Sequence, residues 1–66
     1  MNFTILEEAV LYSALEKYCE FCKNCLENPD NANQKSFIQG ELEIAYSLLE
    51  KIKSDYVSMG GPLDRL

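Results

Sequence analysis

The chain has 66 residues, 47% of them hydrophobic and 26% charged, with no His, no Trp and two Pro. That length allows a single domain with a thin core, which gains from a staple or a partner, and the composition excludes both a disordered chain and a turn-rich one. Eleven acidic against six basic residues give a formal charge of −5. The cations Lys17, Lys23, Lys35, Lys51, Lys53 and Arg65 are scattered, so no phosphate-tracking surface and no direct nucleic-acid binding is expected.

Met1-Asn2-Phe3-Thr4 carries no positive n-region, and no apolar run approaches the roughly 20 residues that cross a bilayer. A cytoplasmic protein, of the source cell or of a host cell, with no membrane partner is the expectation. Three cysteines form an odd set, whereas a small secreted scaffold pairs its thiols completely, so reduced thiols are expected.

The first element announces itself at Thr4-Ile5-Leu6-Glu7, a capping box in which the Thr4 hydroxyl and the Glu7 carboxylate satisfy orphan amides at a helix start. With no Gly or Pro before Pro29, helix 1 is predicted over about residues 5–27. Steps of about 100° per residue put Phe21, Ala14, Cys25, Tyr18, Leu11, Cys22, Leu15, Leu26, Cys19 and Tyr12 on one arc of roughly 200°. Lys23, Glu16, Glu27, Glu20, Ser13, Asn24 and Lys17 occupy the rest, a mixed-sign face suited to water.

Asn28-Pro29-Asp30-Asn31-Ala32-Asn33 breaks the pattern. Pro29 disfavours helical geometry at Asn28, and the Asp and Asn residues suit a turn, so a loop over 28–31 is predicted, with Asn31 and Gln34 at capping-box spacing. A connection this short makes the helices antiparallel. Helix 2 is predicted over about residues 32–59. Its residues Ile38, Leu42, Ala45, Leu49, Ile52, Tyr56 and Met59 recur in steps of four and three, the seam of a helix built to lie against another. Phe37, Ile44 and Leu48 widen that seam, while Gly40 is a weak point worth about 1 kcal/mol against Ala. Gly60-Gly61-Pro62 stops the helix, and residues 60–66 are expected as a flexible tail.

The resulting expectation is an all-α fold: one antiparallel two-helix hairpin domain over 1–66, dimerising into a four-helix bundle. The arc on helix 1 is wider than one neighbour covers, and each large side chain left in water forgoes about 1.5–3 kcal/mol. Leu11, Tyr12, Leu15, Tyr18, Cys19 and Cys22 are therefore the expected contact surface for a second copy or another protein.

Cys19, Cys22 and Cys25 stand at three-residue spacing, and thiolates so placed are the usual ligands of zinc and iron–sulfur centres. On a helix, however, Cys19 and Cys25 lie about 9 Å apart along the axis and some 120° apart around it. The fourth position of a ferredoxin-like run is Pro29. Packing as small hydrophobes is the expected role, with no cofactor. A metal site using Cys19, Cys22, Cys25 and Glu41, or a redox or intermolecular disulfide role, stands as the alternative. Glu41 projects on the apolar side of helix 2, where a carboxylate must be paired, protonated or liganded. It is expected at the rim of the seam, reaching water, against the alternatives of a metal ligand or a bond to Tyr18 across a dimer. Asp55, on a neighbouring row, raises the same question.

Catalysis is not expected. Without His there is no ordinary general base near neutral pH; Ser13, Ser36, Ser47, Ser54 and Ser58 have no activating neighbour in sequence, and no Gly-rich phosphate loop opens a helix. The function these features imply is a small acidic regulator, adaptor or inhibitor acting through helix–helix contact with a protein. Its format suits the product of a phage or other mobile element. An alternative class is an acidic nucleic-acid mimic presenting Glu7, Glu8, Glu16, Glu20, Glu27, Glu43 and Glu50, though interleaved lysines break its negative field.

Overall fold

The structure, a computed structural model, describes residues 2–66. It contains two long helices, α1 (Ile5–Glu27) and α2 (Lys35–Ser58), folded against each other as a hairpin 43 × 18 × 14 Å in extent. A short 3₁₀ segment, Pro29–Gln34, joins them and another, Leu63–Arg65, ends the chain. No strand occurs among the described residues.

Helix α1 starts as its sequence requires. Thr4 Oγ1 accepts from the Glu7 amide at 3.1 Å, and the Glu7 carboxylate accepts from the Thr4 amide at 2.9 Å, so two otherwise orphaned donors are satisfied reciprocally. The connection differs from expectation. Asn28 Oδ1 accepts from the Asp30 amide, a local turn that Pro29 extends into 3₁₀ geometry. Asn31 (φ −99°, ψ 15°) interrupts the run. Instead of capping a second helix, its side-chain amide donates back to the Cys25 carbonyl at 3.1 Å. Helix α2 therefore begins at Lys35 rather than near Ala32, and Gln34 at its N-cap makes no side-chain capping bond.

The far end of α2 closes in a Schellman motif. The Gly61 amide reaches the Tyr56 carbonyl at 2.9 Å and the Gly60 amide reaches the Val57 carbonyl at 3.0 Å. Gly60 supplies the positive φ of 86° that the motif needs. The tail beyond is folded back rather than splayed: the Tyr56 hydroxyl donates to the Pro62 carbonyl at 2.9 Å. Gly61 lies so close to the Tyr56 ring that a Cβ there would stand 2.5 Å from it.

The buried apolar residues are Cys19 and Cys22 from α1 and Ile38, Ala45, Ile52 and Tyr56 from α2. The predicted seam is thus the seam that packs, with Leu42 and Leu49 half-buried along it and Met59 mostly outside it. Phe37, Ile44 and Leu48 do not widen the core. They point outward, Phe37 and Ile44 being 73% and 64% exposed. This core is small for the chain that must be ordered around it.

Candidate functional site

The exposed side of the hairpin is built by a second helical row on each helix. On α2, Phe37, Glu41, Ile44 and Leu48 repeat at four, three and four residues, about a quarter-turn round from the buried seam. On α1, Leu15, Tyr18 and Phe21 stand on the same flank. Leu15, Tyr18, Glu41, Ile44, Ala45 and Leu48 together line a shallow, almost wholly apolar groove between the helices. Phe21, 62% exposed, extends it toward the turn, its ring 6.4 Å from that of Tyr18.

One polar bridge crosses this groove. The Tyr18 hydroxyl donates to Glu41 Oε2. Both residues belong to the same chain, so the bond to Tyr18 is made within the hairpin rather than across a dimer, and Glu41 is half-buried and paired instead of reaching freely into water. The Tyr18 hydroxyl is pushed above the ordinary phenol range, first by its bond to the Glu41 carboxylate, then by burial and by neighbouring Cys22. It stays protonated and acts as a donor. On the opposite flank the Lys23 ammonium sits 5.5 Å from the centroid of the Tyr46 ring, a cation–π contact, and Tyr46 holds Lys23 above its usual value.

The residues expected at the contact surface divide. Leu15 and Tyr18 line the groove, and Tyr12 is half-buried. Leu11 lies with Phe3, Leu6, Glu7 and Val10 around a separate apolar hollow at the start of α1. Cys19 and Cys22 are buried inside the hairpin and so are withdrawn from any surface between molecules, because the three-residue step that aligns them also aims them at α2. All three cysteines are free thiols. Burial, followed by Cys22, raises the Cys19 thiol, the reverse of the depression that makes a thiolate ligand or nucleophile. Among the described residues no group of three or more His, Cys, Asp or Glu side chains is placed to hold a metal ion. Nor is any described helix long and apolar enough to cross a membrane.

Sequence reasoning misplaced Glu8. Counted there among solvent-facing carboxylates, it is 0% exposed in the structure, which removes it from any acidic surface field. Its carboxyl is raised by that burial and then by the carboxyl of Asp55 on α2. The signal was present: Glu8 lies four residues before Tyr12, seven before Leu15 and eleven before Cys19, the spacing of the buried stripe itself. No protein-family model matches the chain, and neither a characterised protein nor a solved structure matches it.

Proposed function

We propose that the protein is a non-enzymatic interaction module that acts as a homodimer. Two hairpins pack through the Leu15–Tyr18–Phe21 and Phe37–Ile44–Leu48 rows into an antiparallel four-helix bundle, and the bundle regulates a protein partner as an adaptor or inhibitor. The observation that supports this reading is a second, largely apolar row on each helix, on one side of the hairpin, the α2 row at seam spacing. A surface row on an isolated hairpin has no reason to keep that period. The broad side of the whole hairpin measures 43 × 18 Å, room for a contact on the order of the 800 Å² per partner of a standard interface. Charge agrees with a second copy as the occupant: each chain carries −5 overall, yet the one carboxylate in the groove, Glu41, is already held by a hydroxyl. Two such faces meet without opposing bare charges.

The hollow of Phe3, Leu6, Val10 and Leu11, with Glu7 on its rim, lies on another side of α1 and stays open in the bundle. For a chain of this charge, an amphipathic helix with basic flanks is the partner that fits it. The test of the assembly is the native mass with and without reductant. A mass of two chains that reverts to one in Ile44→Glu, with helical circular dichroism retained, is the expected result. Ile44 is 64% exposed, so a charge there leaves the hairpin's own packing intact. A wild-type mass of one chain, or an undiminished dimer in the variant, would remove this face as the interface.

A further inference from the structure

At the open end of the hairpin, where α1 begins and α2 finishes, the seam contains an acid in place of an apolar side chain. Glu8 is completely inaccessible, and among the described residues neither of its carboxyl oxygens accepts a hydrogen bond from a backbone amide or any other neutral donor. The Tyr18–Glu41 bond sets the register of the two helices. Counting back ten residues along α1 and forward along α2 brings Glu8 opposite the turn that holds Asp55, itself half-buried. A charged carboxylate in this position would lack both water and a donor, and would face a second acid.

We propose that Glu8 and Asp55 form a shared-proton carboxyl pair that makes closure of the hairpin's open end depend on pH, tight in mild acid and loosened as the pH rises. A proton on Glu8, shared with Asp55, turns an acceptor–acceptor contact into a donor–acceptor bond and gives the inaccessible Glu8 carboxyl a partner without water. Two influences oppose it. The chain's amino terminus carries a positive charge that lowers the Glu8 pKa, and the first turn of α1 favours an anion. Burial and Asp55 outweigh the charge, since the net displacement is upward. The helix amides contribute little because none of them reaches the Glu8 oxygens.

The direction of the linkage follows. The folded chain binds this proton more tightly than the unfolded chain, whose Glu8 has an ordinary value near 4.5. Stability is therefore greatest below that value and falls as the pH rises above it, until the pair has ionised in the folded state. Within that window a single linked proton changes the folding constant by up to about tenfold per pH unit. The Tyr56 side chain and the tail it anchors lie next to Asp55 in sequence, so loosening begins where the chain ends. The inference concerns the hairpin itself and does not rest on its self-association.

The decisive experiment is a ¹³C carboxyl titration of the full chain, paired with urea unfolding at pH 5 and pH 8. Glu8 should titrate above its ordinary unfolded-chain value. The wild-type midpoint should fall between the two pH values, and Glu8→Gln and Asp55→Asn should each flatten that fall and exceed wild type at pH 8. If Glu8 titrates at its ordinary value near 4.5, or if both variants keep the wild-type pH slope, the shared proton is ruled out. The titration needs no substitution, so it decides the matter even for a variant that does not fold.

Discussion

Glu41 and Glu8 both enter the space between the two helices, and the chain gives them opposite neighbours. Glu41, half-buried near the middle of the hairpin, meets a phenol that donates to it. Glu8, fully buried at the open end, meets another carboxyl. A carboxyl group with a donor opposite has its acceptor satisfied; one facing an acceptor in a dry site needs a proton as the missing partner. The residue type is the same, and the residue opposite decides whether it bridges the helices or makes their contact sensitive to pH.

The largest expected effect comes from the seam that forces both carboxyls into the interface. Ile52 is buried near the Glu8 end, and Ile52→Ala should cost about 2–5 kcal/mol in urea denaturation. A loss below about 0.5 kcal/mol would show that the open end is not packed as described. Gly61→Ala follows. Its Cβ would stand 2.5 Å from the Tyr56 ring, and that ring is wedged in the core rather than free to swing aside, so a loss of about 1–3 kcal/mol is expected. An unchanged thermal midpoint would mean that the tail does not rest on Tyr56.

The two carboxyl sites separate most clearly by the sign of their response. Tyr18→Phe removes the donor from Glu41 and should destabilise the hairpin modestly, an effect limited by the partial exposure of the pair. Glu8→Gln should do the reverse above neutral pH and stabilise. Denaturation of both variants across the pH range checks this, and a common sign would erase the distinction between the sites. The smallest expected effect is a gain of about 0.5–1 kcal/mol for Gly40→Ala, since a Cβ at Gly40 meets nothing within 4 Å. That gain serves as a control on helix propensity that touches neither carboxyl.

Much of the architecture was legible in the residues. The Thr4/Glu7 box, the Gly60-Gly61-Pro62 stop and the seam through Ile38, Ala45, Ile52 and Tyr56 all reappear in the structure. These are local features, set by side chains three or four positions apart on one helix, where geometry leaves little choice. The connection was less legible because Asn28 and Asn31 each had more than one backbone group within reach, and the competition went to the Asp30 amide and the Cys25 carbonyl.

The sequence by itself determined two amphipathic helices, their antiparallel course and the excess of apolar surface on the first. Only the tertiary structure decided which part of that surface turns inward: Cys19 and Cys22 to α2, Tyr18 and Phe21 to the open flank, Glu8 into the core opposite Asp55. A periodic pattern defines the width of an apolar arc but not the direction from which the neighbouring helix approaches it. That direction, and the register that pairs Tyr18 with Glu41, are fixed by the fit of side chains far apart in the chain.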